Sequence, residues 1–346
     1  MNLDLIFQYY SLLKNTNFGL SLSSKSVLNY IRYSCCKLSD KVEISHTPPL
    51  ISMYITRRCN LNCGYCVVGK ISDKYDYRNY ELTPEKYYKI LQHPLIKKSL
   101  LINMCGGEPL LNNDLMELIN ITKKQKKLAC LLTNGVLLKD KWDALLKAKI
   151  DDIQVSLYDN TIDKFGNTLT LLNKEKKLNA SYVLLKTDLN NNMRKIEKII
   201  DFACESGFKS LKLNFCLSNK FNNFLDESID EEDSFKYEQL KTKVLNKYKN
   251  IRIFFPKINN YKNPIVKKCK MPWAVLHVDS CGNYGFCCKH QPDVENSNSI
   301  FDDNWEYIIN TEEFCKWRKS LLSQDNIIPD KCKDCYHLVG SYSSNI

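Results

Sequence analysis

The sequence predicts an α/β fold built on a parallel sheet, and two observations predict it. Short apolar runs alternate with longer amphipathic segments six times in series between residues 50 and 248. The apolar runs are continuous, as strands buried on both faces read.

Taken in order, residues 1–48 read as a helical leader. LDLIFQYYSLL and VLNYIRYSCC space their apolar residues helically, and Pro48 and Pro49 then punctuate the chain. Strands follow at 50–56, 99–105, 127–133, 152–158, 180–186 and 210–216. Helices fill the gaps at 84–92, 113–126, 139–148, 168–178, 193–206 and 232–248. Right-handed crossovers turn such a series into a layered sheet, open or closed into a barrel. NIRIFFP, 250–256, reads as a seventh strand. After Pro264 the pattern changes to cysteines, glycine turns and short elements. That change divides the chain into a leader at 1–48, a core domain at 49–256 and a smaller domain at 257–346. In such folds the site lies at the carboxyl ends of the strands, so the segments after 56, 105, 133, 157, 186 and 216 share one rim.

Composition narrows the function classes. The 346 residues are 44% hydrophobic and 26% charged, a globular balance. The formal charge of +11 is scattered over lysine-rich helix faces, without the dense basic stripe of a nucleic-acid binder. Most of these lysines read as solvated; the alternative reading is a surface suited to an acidic electron donor. No apolar run approaches the ~18–20 residues that span a bilayer. The N-terminus lacks the basic region and small-residue cleavage site of a secretory signal, so the expectation is a cytoplasmic protein without membrane or nucleic-acid partners. In a reducing compartment, 16 cysteines point to metal binding or catalysis rather than disulfides.

Three of them, Cys59, Cys63 and Cys66, fall within eight residues directly after the first strand. Three thiolates on one tight loop hold three irons of a cubane cluster and leave the fourth open to a small chelating molecule. Gly64 lets the loop fold closely, and Tyr65 offers an aromatic edge. Buried cysteines rarely cluster so densely, and a structural zinc wants a fourth ligand.

The segment CNLNCGYC after an apolar strand resembles the CxxxCxxC signature of the radical S-adenosylmethionine (SAM) superfamily. Three further segments are similar to motifs of that family and follow in its order: Cys105-Gly106-Gly107-Glu108-Pro109, Thr133-Asn134-Gly135 and Val155-Ser156-Leu157. The resemblance implies a partial (β/α)6 barrel, a SAM-binding [4Fe–4S] cluster on Cys59, Cys63 and Cys66, and SAM contacts from Tyr65, Gly106, Gly107, Glu108, Asn134 and Ser156. Glu108 would pair with the methionine ammonium. The end of the fifth strand would add Thr187 as a SAM contact and Lys186 as a substrate contact, and that of the sixth, Asn214.

Downstream, Cys269, Cys287, Cys332 and Cys335 supply four ligands, with a hairpin expected around Ser280-Cys281-Gly282-Asn283. Four thiolates suit zinc equally, so spacing alone leaves both metals open. Cys269-x12-Gly282-x4-Cys287 is similar to the opening of SPASM/Twitch extensions. The chain has no further cysteines after Cys335, which resembles the shorter Twitch form with one auxiliary [4Fe–4S] cluster. Cys281 and Cys288 read as bystanders beside the site, with either able to replace Cys287 as the ligand. Cys35, Cys36, Cys105, Cys130, Cys204, Cys216 and Cys315 read as packing.

The resemblance implies a flavodoxin- or ferredoxin-like donor, reductive cleavage of SAM and hydrogen abstraction by a 5′-deoxyadenosyl radical. An auxiliary cluster tilts the substrate toward a sugar- or cyclitol-like metabolite, with peptide or protein maturation as the alternative. A reading of another class is a zinc or iron–sulfur module without catalysis.

Overall fold

The structure is a computed structural model that describes residues 22–66, 68, 81–165, 168–172, 178–190, 194–216, 225–258, 267, 269–287, 299–301, 308–333, 335–339 and 342–344. Cys288, the first leader segment LDLIFQYYSLL and the residues between Phe301 and Ile308 lie outside the described residues.

Seven strands follow one another as the sequence expects: β1 (Leu50–Thr56), β2 (Leu101–Gly106), β3 (Leu128–Thr133), β4 (Asp152–Ser156), β5 (Leu178–Leu184), β6 (Ser210–Phe215) and β7 (Arg252–Pro256). Each pairs parallel with the next. The C-terminal region adds β8 (Val275–Asp279), β9 (Tyr284–Gly285) and β10 (Tyr342–Ser344). The sheet order is β10-β7-β6-β5-β4-β3-β2-β1-β8-β9, an open sheet and therefore a partial barrel.

Strand β8 runs parallel beside β1, and β9 returns antiparallel through the expected hairpin. Strand β10 pairs antiparallel with β7. The segment beyond residue 268 thus extends both edges of the sheet that the core strands begin.

Helices α1 (Ser24–Leu38), α2 (Pro84–Gln92), α3 (Leu115–Lys124), α4 (Leu138–Lys147), α5 (Asp159–Phe165), α6 (Arg194–Glu205), α7 (Ser234–Lys247) and α8 (Glu312–Leu322) accompany the sheet. Local chemistry starts α2: the Thr83 side chain accepts from Lys86 N, and Pro84 occupies the first turn. Most boundaries shift by one or two residues from the sequence reading, and one shifts further. Leu178 already opens β5, so the helix placed at 168–178 is described only as Thr168–Leu172.

Alternate strand residues Ile51, Met53, Ile55, Ile102, Met104, Leu131, Ile153, Val155, Leu211 and Leu213 are wholly buried, in one cluster with Ile90, Leu118, Leu145 and Ile199 of the helices. The inner face is different. Gln154, Ser156, Lys212 and Asn214 are only half-buried, and β4 and β6 alternate. The expectation of strands buried on both faces therefore fails for them. Polar side chains bridge neighbouring strands there: Asn179 Nδ2 donates to Asp152 Oδ1 (2.7 Å), and Ser210 Oγ to Asn179 Oδ1 (2.9 Å). Among the described residues no helix is long and apolar enough to cross a membrane.

Candidate functional site

The cysteine loop leaves β1 at a register shift between Tyr54 and Thr56. Its root is braced on several sides. Arg58 pairs with Glu81 (2.8 Å) and donates to Leu111 O (2.7 Å), while the buried Thr56 hydroxyl donates to Glu81 as well. Within the loop, Cys66 N donates to Cys63 O (3.0 Å) and Leu61 N to Cys59 Sγ (3.4 Å). Burial raises the Cys59 and Cys63 thiols, and the neighbouring thiols raise them further by mutual repulsion. Bound cations reverse that logic, since coordinated thiols are deprotonated outright.

The two glycines after β2 are required by close approach. A Cβ on Gly106 would stand 2.1 Å from Thr56 O, and one on Gly107 would stand 2.0 Å from Arg58 O. In place of side chains, Gly107 N donates to Thr56 O (2.9 Å) and Glu108 N to Arg58 O (2.7 Å). The second rim segment is thereby sewn to the first.

Glu108 is wholly buried. Its carboxylate accepts from Leu110 N (3.0 Å), Thr133 Oγ1 (2.7 Å) and Asn134 N (2.8 Å). These bonds tie the carboxylate to the end of β3. Burial raises its pKa, and the three donors oppose that rise. Asn134 reaches back to the cysteine loop, donating to Asn60 Oδ1 (2.7 Å) and lying 4.0 Å from Cys59 Sγ.

Beside the loop is a cavity of about 410 Å³. Its walls are Leu61, Asn62, Cys63, Gly64 and Tyr65 on one side, and Tyr158, Asp159, Tyr182, Val183, Leu185 and Lys195 on the other. Tyr65, read from the sequence as a cofactor contact, is one of these lining residues. Ser156 stands on the inner face with its hydroxyl 3.5 Å from that of Ser181, and Tyr158 lies near both Ser156 and the Cys63 thiol.

Sequence reasoning missed Tyr158, Asp159, Tyr182 and Lys195. Tyr158 directly follows the Val155-Ser156-Leu157 segment and was within reach of that motif. Lys195 belongs to α6, and no local signal marks it. Its ammonium is aimed by the buried Asp188 (2.9 Å), which also accepts from the Tyr182 hydroxyl (2.9 Å) and Leu185 N (2.9 Å). Thr187 and Lys186 are placed differently from expectation. Thr187 is exposed and bonds Glu227 (2.9 Å), and Lys186 pairs with Asp233 (3.2 Å) and Asp230 (3.6 Å). Neither lines the cavity. The backbone beyond Leu185 turns straight into a short helix, Lys186–Asn190, which carries them off the rim.

The C-terminal thiols also come together. Cys287, Cys332 and Cys335 are buried, and their proximity adds to burial in raising Cys269 well above its ordinary value. Cys281, the presumed bystander, is exposed. Among the described residues no three Cys, His, Asp or Glu side chains converge tightly enough to hold a single metal ion. A buried ion pair, Arg57 to Asp279 (3.4 Å), connects the first cysteine loop to the hairpin before Cys287. Asp279 also accepts from Cys281 N (2.8 Å), Asn283 N (3.0 Å) and Asn283 Nδ2 (3.0 Å).

Parts of the chain are similar to known proteins. The family model described as the Radical SAM superfamily matches residues 53–222. A probable GTP 3′,8-cyclase of Methanococcus aeolicus is 32% identical over 180 residues, 51% of this chain and 52% of its own length. The GTP 3′,8-cyclase of Aquifex aeolicus is 31% identical over 199 residues, 56% of this chain and 55% of its own. The chain thus spans about half the length of the curated relatives it matches. The structure of Streptococcus suis SuiB bound to S-adenosylmethionine superposes with a TM-score of 0.62, over 91% of this chain and 79% of that one, at 16% identity. At that identity the likeness is one of fold.

Proposed function

We propose, from the match of the Radical SAM superfamily model to residues 53–222, an enzyme that binds a [4Fe–4S] cluster through Cys59, Cys63 and Cys66 and S-adenosylmethionine in the adjoining cavity. The carrying observation is the three-thiol loop that itself forms one wall of a 410 Å³ cavity, a volume within the range of small-molecule sites. Held by Cys59, Cys63 and Cys66 and reduced by a flavodoxin- or ferredoxin-like donor, such a cluster would supply the electron for reductive cleavage of SAM and so for hydrogen abstraction from substrate.

The chain's own residues orient and shield. Gly106 and Gly107 let the second rim segment lie against the loop, and Asn134 steadies Asn60 and Cys59. Tyr65, Tyr158 and Tyr182 wall the cavity with rings that exclude water from reactive species. Lys195, held by Asp188, presents an ammonium to an anionic group of a bound ligand.

Cys269, Cys287, Cys332 and Cys335 would hold an auxiliary [4Fe–4S] cluster, able to accept an electron in a net oxidation. The substrate class we favour is a small hydroxyl-bearing metabolite, sugar- or cyclitol-like. The polar inner face of Gln154, Ser156, Lys212 and Asn214 supports it. A nucleotide is the second reading, favoured by the similarity to proteins named GTP 3′,8-cyclase.

The test is anaerobic reconstitution followed by dithionite and SAM. Formation of 5′-deoxyadenosine that disappears in Cys63→Ala is expected. No product from the wild type sinks the reading in favour of a non-catalytic metal module. Stimulation of the yield by GTP, or by an aminocyclitol, decides between the substrate classes.

A further inference from the structure

The indole of Trp317 donates its N–H to Cys332 Sγ at 3.3 Å, and both residues are buried. Among the 16 cysteines, Cys332 is one of the four thiols that gather in the C-terminal region. The tryptophan sits on α8, and a series of ring contacts holds it in place. Tyr284 packs edge-on to Phe286 (5.9 Å), Phe286 edge-on to Phe314 (4.5 Å), and Phe314 tilts against Trp317 (6.1 Å). Phe286 precedes Cys287 in the chain, so the same aromatic stack ties one ligand thiol to the donor that serves another. On the next residue, Arg318 is buried and anchors α8 through Ile309 O, Asn310 Oδ1 (3.1 Å) and Cys315 Sγ (3.8 Å). The donor is therefore fixed in a dry, rigid place.

We infer that Trp317 tunes the reduction potential of a cluster held by Cys269, Cys287, Cys332 and Cys335, a conclusion that rests on the auxiliary-cluster reading above. Reduction adds negative charge to a cluster and its thiolates. An N–H aimed at a ligand sulfur stabilises that charge and raises the potential, and hydrogen bonds to sulfur are among the main determinants of cluster potential. Burial strengthens the effect by excluding competing water. Trp317 is thus a positioning residue for the electron-accepting role of the auxiliary site, and it touches no substrate.

The experiment uses the full chain, reconstituted anaerobically, as wild type and Trp317→Phe. Redox titration followed by electron paramagnetic resonance reads the two clusters separately. The expected result is a shift of the C-terminal cluster to more negative potential, with the potential of the Cys59/Cys63/Cys66 cluster unmoved. Deuterium exchange should also remove one proton coupling from the reduced C-terminal signal in the wild type and none in the variant. Should Trp317→Phe fail to fold, benzothienylalanine at position 317 keeps the bicyclic ring and lacks only the N–H, and the same shift is expected. Equal potentials in wild type and variant would overturn the inference while leaving the cluster reading intact. A wild type that binds only about four irons per chain, where two cubanes need about eight, would overturn both.

Discussion

Gly107→Ala isolates the contact that sews the second rim segment to the cysteine loop. Gly107, unlike Gly106, does not have a positive φ, so alanine brings no conformational strain there. Its new Cβ would stand 2.0 Å from Arg58 O and 2.8 Å from Arg57 O. The Arg58 carbonyl must retreat by about 1.4 Å to reach ordinary contact distance. That displacement breaks Glu108 N to Arg58 O (2.7 Å) and strains Gly107 N to Thr56 O (2.9 Å). A buried backbone group left without its partner costs about 1–3 kcal/mol, and overpacking adds about 1–3 kcal/mol. A loss of about 4 kcal/mol is expected, read by urea denaturation of the reduced metal-free chain. Because Arg58 immediately precedes Cys59, iron bound at the loop should fall in the same variant. A loss below about 1 kcal/mol with full iron loading would refute the reasoning, for it would mean that the two segments separate freely.

Three further outcomes are expected. Arg57→Met leaves Asp279 buried with its remaining donors and without the guanidinium. Denaturant titration should show a loss of about 3 kcal/mol, and an unchanged midpoint would remove the proposed tie between the two halves. His277 is buried, neither ring nitrogen has a hydrogen-bond partner among the described residues, and burial lowers its pKa to about 4 from 6.5. It stays neutral in the fold while the unfolded chain takes a proton below pH 6.5, so its contribution is intact above that pH and is lost as pH falls through about 4. The full loss is about 3 kcal/mol; His277→Leu should abolish this part of the acid sensitivity, and parallel pH profiles would contradict it. Lys195→Met should keep full iron loading yet weaken SAM-dependent 5′-deoxyadenosine formation about tenfold, the worth of one charge-assisted hydrogen bond. Unaltered yield at low SAM would exclude Lys195 from ligand binding.

The strands were legible because burial of their outer face demands apolar runs, and seven of them stand close to where those runs lie. The cysteine loop and the glycine, asparagine and serine segments were legible for a related reason. Close backbone approach and metal ligation each accept few residue types, so they leave short, dense signals in the chain. Other features depend on which residues meet in space. Lys195 reaches the cavity only because α6 packs where Asp188 can aim it, and Glu108 faces inward only because β3 ends beside it. The sequence carried the apolar runs, the thiols and the order of the rim segments, because each is a local demand on residue type. Tertiary structure alone decided that Arg57 meets Asp279 from 222 positions away and that Trp317 meets Cys332. It also decided that strands from beyond residue 268 extend both edges of the sheet, since a pairing between distant segments leaves no trace in the spacing of either one.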